Sequence, residues 1–180
     1  VNAVQSWADM SQPENPISTL AAFLSENEQV EADVLLCPGD LGHQAHPAAT
    51  TWAWERVQEI AAAVGARHVI ASTGNHDADS RHLGESLDPR DHLKGLDPAF
   101  PMIHDPANYW AYAVNLVCED GWRIATLDSC FHHGASATEH DQGRVEPAVL
   151  KRLDELLTST DDKARVNILL CHHHPLAHTE

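Results

Sequence analysis

Three short stretches carry side chains that could do chemistry together: Gly39-Asp40, Gly74-Asn75-His76-Asp77 and His172-His173-His174-Pro175. The second is the richest. Asn75 can offer a neutral oxygen to a metal, His76 can carry a proton, and Asp77 can orient an imidazole. Each stretch follows a short apolar run, Asp33–Cys37, Val69–Ser72 and Val166–Cys171, and such runs read as buried strands. Open α/β sheets place their ligands beyond the carboxyl ends of their strands. A carboxylate, an amide and an imidazole at three strand ends form the donor set of a borderline-hard divalent metal such as Mn, Fe or Zn. A carboxylate can also bridge two ions, and two ions about 3.5–4 Å apart clamp a phosphoryl group for transfer or hydrolysis. Taken singly, each stretch is an ordinary polar turn. The recurrence of the same layout argues for a site.

The rest of the chain must hold those strand ends together. At 180 residues it is the length of one domain, with 43% apolar and 21% charged residues, an ordinary globular balance. No apolar run approaches the ~20 residues of a membrane span, and the first residues lack the layout of a signal peptide. The net charge of −16, with 11 Lys+Arg, excludes a broad basic surface for nucleic acid. An acidic protein can still act on phosphates where bound cations reverse the local charge. Cys37, Cys118, Cys130 and Cys171 are widely spaced, and Cys37 and Cys171 end apolar runs. They read as reduced, buried thiols in a cytoplasmic protein.

Periodicity places the elements. Asn15 caps a helix that Pro16 opens, with Ile17, Leu20, Ala21 and Leu24 as its stripe. A second helix spans about Pro47 to Val64, with Ala53, Val57, Ile60, Ala61 and Val64 on one face. Only one of Trp52 and Trp54 can face the core. Strand, helix and strand form a right-handed β-α-β unit with parallel strands, so Asp40 and Asn75 emerge at one sheet edge. Residues 78–108 read as an irregular insertion beside the site, either a lid or substrate wall or a solvated loop. Tyr109–Val117 and Trp122–Leu127 read as a hairpin turning at Glu119-Asp120-Gly121. A helix from Pro147 buries Leu150, Leu153, Leu156 and Leu157. Asp161-Asp162-Lys163 then connects it to the last strand, Val166–Cys171, also expected to be buried. His43 and His46 read as solvated residues or supports of the site, and His132 and His133 as pocket or surface-loop residues.

In this order, Gly39-Asp40, Gly74-Asn75-His76-Asp77 and His173-His174-Pro175 resemble the motifs of the calcineurin-like metallophosphoesterases. Leu127-Asp128-Ser129 and Gly143-Arg144-Val145 fit the same pattern, which spans about Asp33 to Pro175. The resemblance implies a four-layer α/β/β/α sandwich with two mixed β-sheets. It also implies hydrolysis of phosphate mono- or diesters at a centre of two divalent ions (Mn, Fe or Zn), with a metal-bound hydroxide as nucleophile. By position, Asp40 matches the bridging carboxylate, Asn75 the amide ligand, and His173 the imidazole ligand, with His172 the alternative if the triplet is shifted by one. His76 matches the residue that contacts the phosphate and protonates the leaving group, and Asp77 the residue that fixes its tautomer. The implied substrate is a phosphate-ester small molecule or nucleotide. The family's opening Asp-x-His and closing Gly-His-x-His are not present. Both omissions fall at the ends, as expected of one domain over 1–180 that has been trimmed. The alternative is an inactive fragment, or a non-catalytic module of this fold that binds a protein partner.

Overall fold

The computed structural model describes residues 16–27, 29–81, 87–102, 104–134, 142–160 and 164–174. Asn15, the connector 161–163 and Pro175 lie outside them. The elements in chain order are α1 (Pro16–Glu26), β1 (Val34–Cys37), α2 (Pro47–Ala63), β2 (His68–Ala71), α3 (Asp91–Lys94), α4 (Pro106–Tyr112), β3 (Val114–Glu119), β4 (Trp122–Leu127), α5 (Pro147–Ser159) and β5 (Val166–Leu170).

Two sheets form. β1 and β2 pair in parallel, Val34 opposite His68 and Cys37 opposite Ala71. β3 and β4 make the antiparallel hairpin, and β5 joins β4 in parallel. Side chains alternate across each strand, and the alternation builds two cores. Ile70 of β2 and Ile124 of β4 meet Leu170, Met102 and Tyr109 between the sheets, with Val34, Leu36 and Ile168 packed around them. On the other face of β1–β2, Ala71 meets Trp54 of α2 together with Leu93, Leu96 and Phe100. α4 and α5 lie against β3. The result is a mixed α/β sandwich of two sheets between helices, the fold the resemblance implied.

α2 begins where His46 caps it, its Nδ1 accepting from the Ala49 N–H at 3.4 Å, and where Pro47 presets the first turn. Trp54 is the tryptophan that faces the core, and its indole N–H donates to the Pro98 carbonyl at 2.7 Å. Trp52 lies instead under the Arg56 guanidinium, 5.4 Å from its ring centre.

Four sequence expectations need correction. Tyr109 does not begin a strand: it lies in the short helix α4, and β3 starts at Val114. Its aromatic β-propensity gives way to burial of the ring between the sheets. The stretch 78–108 is not a solvated loop where it is described. Its described part carries α3 and sends Leu93, Leu96, Phe100 and Met102 into the two cores, where burial of each such side chain stabilises by roughly 1.5–3 kcal/mol. β5 is not buried throughout. Among the described residues it is an edge strand, and Val166 and Leu169 are half exposed. Leu150 of α5 is likewise half exposed, while Leu153, Leu156 and Leu157 are partly covered.

Candidate metal centre

β1 and β2 end side by side, and the loops beyond them interlock. Gly39 (φ +99°) and Asp40 (φ +59°) both adopt left-handed backbone, which glycine takes freely and aspartate tolerates. That turn presses Asp40 against Gly74. A Cβ added at Gly74 would overlap the Asp40 carboxylate and its amide nitrogen, so only glycine fits there. The Asp40 carboxylate Oδ1 accepts from the His76 N–H at 3.0 Å.

Asp77 joins the two loops. Its fully buried carboxylate accepts from the backbone N–H groups of Asp40 (2.7 Å), Gly74 (2.9 Å) and Gly42 (3.0 Å). Burial pushes its pKa up to about 6, Asp40 adds to the push, and the three N–H donors pull against it. It thus orders backbone rather than the His76 ring. That ring meets His43, Nδ1 to Nδ1 at 3.0 Å. The Thr73 N–H donates to the Tyr109 hydroxyl at 2.9 Å, so the misplaced tyrosine supports the loop after β2 from below.

β5 brings the histidines. Successive residues at a strand end point to opposite sides, and His172 and His173 diverge accordingly. His172 reaches the β1–β2 loops, its Nε2 lying 3.0 Å from Asn75 Oδ1 and 3.5 Å from Asp40 Oδ1. Its Nδ1 lies 2.9 Å from the Pro38 carbonyl, which can only accept, so Nδ1 carries the proton. In the neutral ring Nε2 then offers a lone pair toward two oxygens that also offer lone pairs. Three acceptors facing one another suit a cation, and a ring N–H donating to a backbone carbonyl is how metal-binding imidazoles are oriented.

His173 turns away toward β4. Its Nδ1 lies 2.9 Å from Ser129 Oγ and 3.8 Å from Cys130 Sγ. Its buried Nε2 has no hydrogen-bond partner among the described residues. Burial, with His172 and His133 beside it, holds its imidazole down at about 4, as a neutral ring. A Cβ on Gly143 would overlap the His173 side chain, so the Gly143-Arg144 segment closes tightly over it. One ligand atom each from Cys130, His133 and His173 lies within 4.8 Å of the other two. His133, however, spends Nε2 on the Gln142 carbonyl at 3.0 Å and Nδ1 on Ser80 Oγ at 2.9 Å. That ring is held in place as a support. The sequence reading missed Cys130 and the His43–His76 contact; the three-residue spacing of His43 from Asp40 was the available signal.

Asp128, at the end of β4, is fully buried. Burial raises its pKa to about 7, against the lowering pull of Arg90 and the Cys130 N–H and with a further push from Asp88. An unfolded aspartate releases its proton near 3.9. Between about pH 4 and 7 the folded chain therefore holds a proton that the unfolded chain gives up, and this group's contribution to stability falls as pH rises through that window. Asp128→Asn removes the titration and should flatten that part of the profile. Denaturation midpoints of parent and variant from pH 4 to 8 test it, and parallel profiles would contradict the assignment.

The model of one protein family, the calcineurin-like phosphoesterases, matches residues 9–180. The chain belongs to that family. No individual curated protein matches it. Calcineurin-like phosphoesterases are in general hydrolases of phosphate esters that bind divalent metals. The acceptor cluster of Asp40, Asn75 and His172 fits that chemistry in this member. All four cysteines are free thiols, and Cys37 and Cys171, expected to be buried at their strand ends, are only partly covered. Among the described residues no helix is long and apolar enough to cross a membrane.

Proposed function

We propose that this calcineurin-like phosphoesterase hydrolyses a phosphate mono- or diester, with Asp40, Asn75 and His172 holding divalent metal. The convergence of three lone-pair donors on one point carries the reading. His172 takes the place that the motif pattern gave to His173, because its ring is the one that reaches Asp40 and Asn75. A second ion would share Asp40, the one anionic member of the cluster. Divalent metal bound there would polarise the phosphoryl group and acidify water at neutral pH.

The protein's own groups divide the remaining work. Asp77 orders the Asp40 and Gly74 backbone, so the donors are preorganised. His76 stands one residue from Asn75, beside the metal ligands without being one, and is the proton donor to the leaving oxygen. The half-buried, neutral His173 flanks the cluster on the β4 side. Free thiols at all four cysteines support a reducing, cytoplasmic setting.

The test is turnover of a nitrophenyl phosphomonoester and of a bis-nitrophenyl phosphodiester by the chain, with and without Mn. Metal-dependent release of nitrophenol, abolished by a chelator, supports the proposal. A chain that binds Mn and turns over neither ester is a binding module of the same fold.

A further inference from the structure

His76 is gripped by the loop that follows β1 at three points. Its N–H donates to Asp40 Oδ1 at 3.0 Å, its carbonyl accepts from the Ala45 N–H at 2.8 Å, and its ring meets His43. The ring contact is the unusual one. The two Nδ1 atoms are 3.0 Å apart, the planes differ by 24°, and the centroids are 4.9 Å apart. That separation of nitrogens is a hydrogen-bond distance, at which the Nδ1–H of one ring can donate to the Nδ1 of the other. Among the described residues no carboxylate lies within ion-pair distance of either ring. Asp77, the residue that the motif pattern assigns to orienting His76, spends its carboxylate on three backbone N–H groups.

We propose that His43 is the positioning residue for His76, a neutral imidazole standing where a carboxylate would ordinarily sit. The proposal rests on the hydrolytic reading above for its catalytic consequence, though its geometry stands without it. The His43 Nδ1 lone pair accepts Nδ1–H of His76, and the His43 proton stays on its own Nε2. With Nδ1 held in this way, Nε2 is the ring atom left to serve the substrate. As the phosphorus–oxygen bond breaks, its electron pair stays with the leaving oxygen, which takes the proton from Nε2. His76 is left neutral with Nδ1–H still on His43, so the ring holds its orientation between turnovers.

The experiment uses the full chain and two readouts. The first, independent of activity, is the nitrogen chemical shifts of the His76 ring by NMR. At a pH that leaves the ring neutral, the parent should report a fixed Nδ1–H tautomer, and His43→Ala the averaged mixture of a free imidazole. The second is hydrolysis by the Mn-loaded protein. His43→Ala should slow an alkyl phosphoester by about 10–100-fold, the same range as loss of the partner that orients a metal-bound imidazole. It should slow a nitrophenyl ester less and leave metal content unchanged. His43→Asn, whose side-chain oxygen can accept the same N–H, should recover much of the alkyl rate. In a His76→Ala background, His43→Ala should cost nothing more. Unchanged His76 shifts in His43→Ala overturn the contact, and equal slowing of both esters overturns its role. A parent that hydrolyses neither ester defeats the hydrolytic reading alone, and the shifts still decide the contact.

Discussion

Asp40→Asn should lower affinity for Mn or Zn more than any other single substitution in the site. The asparagine side chain is nearly isosteric, tolerates the left-handed backbone at this position, and keeps an oxygen to accept the His76 N–H. The loop should therefore survive, and the measured change reports the lost charge. Asp40 is the one anionic member of a cluster otherwise made of an amide oxygen and an imidazole nitrogen. Loss of a hydrogen-bonding neighbour of a ligand costs about 10–100-fold in metal affinity, and loss of the charged ligand itself should exceed that. Asn75→Ala, which removes a neutral ligand, should cost less. Calorimetric titration of parent and both variants ranks them. An Asp40→Asn protein that binds metal as well as the parent would remove Asp40 from the centre.

His76→Ala should separate proton transfer from metal binding. A poor leaving group such as an alkoxide needs a proton as the phosphorus–oxygen bond breaks, whereas nitrophenolate hardly does. The variant should hydrolyse alkyl phosphoesters about 10²–10⁴-fold more slowly, the usual worth of a positioned acid. Its loss on activated aryl esters should be smaller, and its metal content should match the parent. Metal analysis with rates on both ester types decides the matter. Metal lost from His76→Ala would make it a ligand, and equal slowing of both esters would remove it as the acid. Asp77→Asn should behave differently from a mere weakening of His76. Because Asp77 holds backbone N–H groups of both loops, its loss should lower metal affinity and the rates on both esters together.

Much of the architecture was legible in local pattern. The apolar runs before Gly39 and Gly74, with a period-3.6 stripe between them, require a parallel β-α-β unit, and its handedness puts Asp40 and Asn75 at one edge. The hairpin partner Trp122–Leu127 and the helix from Pro147 follow from the same periodicities and from the Asp120-Gly121 turn. The order of the strand-end motifs was enough to suggest the family whose model matches residues 9–180.

Where local pattern failed, a contact distant in sequence decided. Histidines in a row after β5 alternate in direction, but no local rule says which one turns inward. The Pro38 carbonyl, 134 positions before His172, makes that choice by taking its Nδ1 proton. Asp77 adjoins His76 in sequence and was expected to serve its ring, yet three N–H groups, two of them from the loop after β1, claim its carboxylate. Tyr109 has the propensity of a strand residue but serves as a buried prop under Thr73. Residues 87–102 lack a clear period because their apolar side chains fill gaps in two separate cores rather than one face of one element. Short-range spacing determined which elements form and which chemical groups they carry. Only tertiary packing decided which of those groups face one another, because a lone pair or a buried N–H is satisfied by whichever partner the fold brings within about 3 Å.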